Sequence, residues 1–195
     1  WNLRDSHMVQ TLAALREHLS QRVPCPKVVV WAHNSHVGDA RATELSRPDR
    51  QGGEPQHNVG QLVRTRWPGE SFVIGLTTSH GTVTAATDWG GPTLRRTVRP
   101  ARSGSFEKGF HDCGVPVFYA LTNEESVEAD AVLLERAIGV IYRPESERAS
   151  HWFAANMATQ FDAVLHIDKT TALTPLDHTS RWDRGEPPET YPTGL

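Results

Sequence analysis

At 195 residues the chain can bury one domain core and falls short of two full domains. Its formal net charge of −3, from 20 Lys plus Arg against 23 Asp plus Glu, disfavours a nucleic-acid partner. A hydrophobic fraction of 37% and a mean hydropathy of −0.48 leave no apolar run able to cross a bilayer, so no membrane partner is expected.

Cys25 and Cys113 are too few for a disulfide framework and lack C-x-x-C spacing, which points to a reducing cytoplasm. No charged and apolar leader is visible, and the chain opens on Trp1 as if it were a piece of a longer protein.

Met8, Leu12, Leu15 and Leu19 recur at helical spacing and predict an amphipathic helix ending before Pro24. Residues 27–32, a continuous apolar run, predict a strand covered on both faces, as in a parallel sheet. A Pro-, Gly- and charge-rich loop is expected from Ser46 to His57, then a short helix capped by Asn58 with Val59, Leu62 and Val63 inward. Strands follow at 72–78 and 82–87, close enough to pair as a hairpin through the "SHG" turn. Residues 88–104 read as irregular, their arginines as solvated.

Phe106, Phe110 and Cys113 share one helical face, and 116–121 reads as a buried strand. Thr122 and Glu125 have capping-box spacing before a helix with Val127, Ala131 and Leu134 inward. A strand at 138–142, a helix carrying Trp152, Phe153 and Met157, and a strand at 163–167 complete the pattern. The alternation predicts an α/β fold of three α/β/α layers with a mostly parallel sheet and room for one antiparallel hairpin. Residues 177–195 lack periodicity and read as a Pro- and charge-rich tail or linker after a domain over 1–176.

His33 and His36 directly follow the predicted strand at 27–32, and ligands of open α/β sheets sit beyond the carboxyl ends of strands. At i and i+3 on a turn both imidazoles can converge, able to move a proton near neutral pH or to hold a metal. Asp39, three residues on, could orient one ring or act as a third ligand. The plainer reading is that both rings brace a tight turn; H-x-x-H is unspecific, and H-E-x-x-H is missing. Glu107 and His111 are i and i+4 on a predicted helix and could pair, although surface pairs of this kind are common. Glu54 could reach over the same strand ends, His80 sits in the predicted hairpin turn, and His166 reads as a buried, satisfied histidine. No G-x-S-x-G, G-x-x-x-x-G-K-[ST] or G-x-G-x-x-G occurs, which weighs against a serine nucleophile and a nucleotide cofactor.

The blocks "WNLRDSHM", "VVVWAHNSHVGDAR", "HNVGQLVRTRW", "GTVTAATDWGGP", "GSFEKGFH", "IGVIYRPESERASHWF" and "QFDAVLHIDKTTALTPL", in that order, resemble the C-terminal half of the erythromycin esterase-like family. The resemblance implies a three-layer α/β fold and hydrolysis of carboxylic esters or lactones, in characterised relatives the macrolactone ring of macrolide antibiotics. That chemistry accounts for macrolide resistance as a response to antibiotic and needs no cofactor. A histidine acts there as general base on water, and no serine is acylated. His33 and His36 match the paired histidines of the family's HNxH block and are the implied catalytic residues. Asp39, Glu54, Glu107 and His111 are candidates for substrate binding or support. The family's G-E-x-x-H-G segment, the implied source of the main catalytic histidine, does not occur in these 195 residues, and "TSHGT" at 78–82 is not that segment. A metal- or ligand-binding module built on His33, His36 and Asp39, or a catalytically silent remnant, are the alternatives. The expected partner is a small-molecule ester or lactone.

Overall fold

A computed structural model describes residues 1–48, 54–122 and 131–175. Six α-helices are present among them: α1 (Asn2–Ser20), α2 (Asn34–Val37), α3 (Val59–Arg66), α4 (Phe106–Asp112), α5 (Glu147–Ser150) and α6 (Met157–Gln160). The strands are β1 (Ile74–Thr77), β2 (His80–Ala85), β3 (Leu94–Val98), β4 (Val117–Leu121), β5 (Leu133–Arg136), β6 (Trp152–Ala155), β7 (Ala163–Ile167) and β8 (Lys169–Thr170). They form three small sheets, ordered β1-β7-β4, β3-β2-β8 and β5-β6.

The central strand of the first sheet is β7, parallel to β1 and antiparallel to β4. Its register sorts the side chains into rows. Gly75, Val164 and Ala120 form one row and Thr77, His166 and Phe118 another, and both turn inward. Val164 packs there with Phe106, Met157 and Phe161, the principal apolar cluster. Gly75 is required at its place, because a Cβ would lie 2.8 Å from the Phe161 ring. The alternate rows, with Leu76, Tyr119, Val117 and Ile167, face solvent. A second cluster of Ala85, Val98 and Tyr142 closes the β2-β3 hairpin.

The expected three-layer sandwich with a mostly parallel sheet is therefore corrected to a small α/β arrangement of mixed, largely antiparallel sheets of two or three strands. Two physical reasons account for the difference. Helices cover only one face of β1-β7-β4, so the third layer is lacking among the described residues. The run Val28–Trp31 joins no strand there, and Val29 and Trp31 are each 88% exposed.

Local readings shift with it. The expected "SHG" hairpin does not form, because β1 and β2 enter different sheets and β2 pairs with β3 and β8. Leu134 lies in strand β5 and Phe153 in strand β6, where helices were expected. From the expected strand at 138–142 only the bridge of Ile141 to Ala86 remains. On α1 the buried residues are Asp5 and Val9, while Met8 and Leu15 of the expected apolar stripe are exposed. Glu125 of the expected capping box and the tail at 177–195 lie outside the described residues, while the Thr122 hydroxyl donates to Phe161 O. Strand β7, helix α4 and the Asn58 cap of α3 stand where the sequence places them, and β4 does too, although it is an edge strand with Val117 and Tyr119 exposed and not the buried strand expected.

Phe161 is 1% exposed at the centre of the main cluster, and its backbone oxygen accepts from the Thr122 hydroxyl. Phe161→Ala should cost about 3–5 kcal/mol of folding stability, measured by urea denaturation. A loss below about 1 kcal/mol would place the core elsewhere.

Candidate active site

The turn from His33 to Gly38 is held from three directions. His33 caps α2: its Nδ1 accepts from the Ser35 N–H at 3.2 Å and lies 2.9 Å from the Ser35 Oγ. Asn34 is buried and acts as a substitute strand residue, its amide oxygen accepting from Leu76 N–H at 2.9 Å and its amide nitrogen donating to Leu76 O at 2.8 Å. Asn58 donates to Ser35 O and Gly38 O at 2.8 and 2.6 Å, while its oxygen accepts from Gln61 and Ala40 N–H. A glycine is needed at Gly60, because a Cβ there would meet Val37 O at 2.0 Å.

The two histidines do not share a partner. His33 Nε2 lies 3.0 Å from Ile138 O, a group that can only accept, so Nε2 carries the proton and Nδ1 the lone pair. Burial, opposed by the Ile138 contact and aided by nearby His36, lowers the His33 pKa and keeps the ring neutral. Both of its nitrogens are thus used within the turn.

His36 is arranged differently. Its Nδ1 lies 2.8 Å from Asp5 Oδ2, and its Nε2 lies 3.1 Å from Arg4 Nη2. The carboxylate accepts and the guanidinium donates, so Nδ1 is protonated and the Nε2 lone pair points outward to Arg4. Asp5 is 0% exposed, and the same oxygen accepts the Val59 N–H at 3.2 Å, the first amide of α3. A carboxylate at that helix end is favoured by the unpaired amides. Trp1 stacks on the His36 ring at 4.4 Å, with the Arg4 guanidinium 4.8 Å from the Trp1 ring centre. The result is an imidazole fixed in one tautomer with its basic nitrogen beside a cation.

Beneath the turn lie two buried carboxyls. Glu107 Oε1 accepts the Arg136 N–H at 2.8 Å, and Glu135 Oε1 lies 3.5 Å from the Asn34 amide nitrogen. Burial, and then the charge of Glu107, push Glu135 up to about 8, and burial also raises Glu107. Glu135 therefore keeps its proton at neutral pH. Arg136 next to it pairs with Glu147 at 2.9 Å and donates to the carbonyls of Thr78 and Ser79.

The other sequence candidates are dispersed. Asp39 is buried, caps the following turn through the Arg41 N–H and pairs with Arg41 and, at 3.7 Å, Arg64. His33, His36 and Asp39 thus go to separate partners and do not converge on one ion. Glu54 is exposed beside residues outside the description. Glu107 and His111 do not pair: the first is buried against Arg136, and the second is exposed with its Nδ1 2.7 Å from Asp168 Oδ1. Sequence reasoning missed Asp5, Arg4 and Glu135. Asp5 carried one usable signal, since it lies one turn before Val9 on the same helical stripe.

These features place the chain among α/β proteins with a histidine-bearing turn docked beside a strand end. The erythromycin esterase family model matches residues 1–170, and the chain belongs to that family. Three solved structures share the fold. One, a succinoglycan biosynthesis protein, is 22% identical with a TM-score of 0.61, covering 83% of this chain and 38% of that one. A Bacillus cereus protein is 16% identical with a TM-score of 0.61, covering 80% and 36%. A mutant of the erythromycin esterase EreC in its open conformation is 22% identical with a TM-score of 0.53, covering 86% and 37%. The chain thus spans little more than a third of the length of each. Among the described residues no helix is long and apolar enough to cross a membrane.

Because Glu135 holds its proton in the fold and releases it when unfolded, the native state loses stability as pH rises from about 4.5 to about 8. The slope is about 1.4 kcal/mol per pH unit from this group. Glu135→Gln should flatten that dependence, making the variant gain on the parent between pH 5 and pH 8 in chemical denaturation. A parallel pair of stability curves would contradict the assignment.

Proposed function

We propose that this chain contributes His36, Asp5 and Arg4 to the active site of a hydrolase that opens carboxylic esters or lactones by attack of water. The supporting observation is the outward Nε2 lone pair of His36, fixed by Asp5 behind it and faced by Arg4. Residues 1–176 are read as the C-terminal half of the family domain, with 177–195 as a tail.

In this reading the attacking water replaces Arg4 at Nε2 and donates one hydrogen there. Arg4, half exposed and able to swing, moves to the substrate carbonyl oxygen. The family resemblance assigns the main base to the histidine of a G-E-x-x-H-G segment, which takes the proton as the water oxygen bonds to the carbonyl carbon. The tetrahedral oxyanion is stabilised by the guanidinium. When the carbon–oxygen bond to the leaving group breaks, the alkoxide recovers that proton, giving acid and alcohol. Asp5 keeps His36 in the accepting tautomer, as a buried carboxylate does for a catalytic imidazole. His33, through Ser35 and Ile138, is a positioning residue for the turn. Asp39 and Glu107 support the same frame from below. Macrolactones are the substrates that the family suggests, with a role in macrolide resistance following from it, and the two free cysteines fit a cytoplasmic location.

Kinetics on the native, full-length protein with a macrolactone and a simple aryl ester provide the test. His36→Ala should lower kcat about 10²- to 10⁴-fold. Asp5→Asn, whose amide can present a donor to Nδ1, should lose a comparable factor with KM little changed. His33→Ala should instead lower thermal stability. If His36→Ala retains activity within twofold of the parent, the reading is wrong.

A further inference from the structure

Away from the His33–Gly38 turn, a second group of ionisable side chains meets where three elements join. His80 opens β2, His111 lies in the last turn of α4, His166 is in β7, and Asp168 connects β7 to β8. One ligand atom from each of His80, His111 and Asp168 lies within 4.8 Å of the others. We propose that these three residues, backed by the buried Nε2 of His166, form a binding site for a divalent transition-metal ion of the zinc type.

The geometry supports this in several ways. Asp168 Oδ1 is 2.7 Å from His111 Nδ1 and 3.5 Å from His166 Nε2, and its Oδ2 is 3.9 Å from His80 Nδ1. Ligand atoms around a tetrahedral zinc stand about 3.3 Å apart for bonds of about 2.0–2.1 Å, so these separations bracket the required spacing. Asp168 is pre-placed by its backbone, since its N–H donates to Pro116 O at 2.8 Å and its carbonyl accepts from Ser79 and His80 N–H at 3.1 and 3.0 Å.

His166 is the independent observation. It is 0% exposed and lies 2.9 Å from the Thr77 hydroxyl through Nδ1, but its Nε2 finds only the 3.5 Å contact with Asp168 and no well-formed hydrogen bond. At 3.5 Å, Asp168 is near enough to attract Nε2 and too far for a well-formed hydrogen bond. A bound cation would relieve this buried, imperfectly paired nitrogen. A simple His111–Asp168 surface pair accounts for neither this nitrogen nor a third imidazole turned to the same carboxylate. Two imidazoles and one carboxylate, with a third imidazole behind the carboxylate, suit zinc or a neighbouring transition ion, whereas calcium and magnesium require oxygen ligands. Phe110 and Phe118, each with its ring centre 5.3 Å from that of His166, wall the inner side, and the partly exposed His111 leaves a way in. Bound there, the ion would tie α4 to both sheets.

Metal-stripped protein without a histidine tag, titrated with Zn²⁺ by calorimetry, tests the site. The expected result is one equivalent bound with a micromolar or lower Kd, a rise in melting temperature, and the visible band of tetrahedral cobalt when Co²⁺ is substituted. His111→Ala, at an exposed position that leaves the core intact, and Asp168→Asn should each weaken binding at least tenfold, while His36→Ala should leave it unchanged. Absence of saturable binding, or binding equally strong in His111→Ala and Asp168→Asn, would overturn the proposal.

Discussion

The amide of Asn58 is the interaction on which the candidate active site depends. One buried side chain caps α3 through Gln61, holds Ala40 beyond the turn, and donates to Ser35 O and Gly38 O within it. Its acceptor and both donors are committed, so no other residue type can replace it. Since α3 also offers the Val59 amide to Asp5, the same helix start fixes both the turn that carries His36 and the carboxylate that orients it. Gly60 allows the close approach this requires.

Electrostatics then differentiate chemically similar groups by environment. His33 is half-buried and bonded at both nitrogens, which makes it scaffold, whereas His36 keeps a lone pair facing a cation. Among the carboxylates, Asp5 gains a helix amide and an imidazole, while Glu135 gains an Asn34 contact and the repulsion of Glu107. Charge is therefore suppressed beneath the turn, at Glu135. The carboxylic acid form of Glu135 can lie under Asn34 without an uncompensated buried charge.

Much of the local structure was legible in the sequence. Asn58 before an apolar helix, the Phe106 and Phe110 face, and the "AVLHI" strand follow from capping and periodicity that tertiary packing leaves intact. Sheet architecture was not legible, because an apolar run such as Val28–Trp31 specifies extension without naming a partner strand. The run at 133–136 fits a helical face and a strand face equally well, and its pairing with Trp152–Ala155 settled it as strand. At the site, the histidine pair was visible through its position after that run and through family resemblance. Asp5 and Glu135 were not, because they reach it from 31 and 101 residues away in sequence, to His36 and Asn34 respectively.

The most direct test of the central claim, that Asp5 fixes His36 with its basic nitrogen outward, is the tautomeric state of His36. Long-range ¹H–¹⁵N correlation spectra of the protein at neutral pH read it from the two ring nitrogens. A His36 ring with Nδ1 protonated and Nε2 bare is the predicted result, with the pattern changing in Asp5→Asn. A His36 ring protonated at Nε2 and bare at Nδ1 would contradict it.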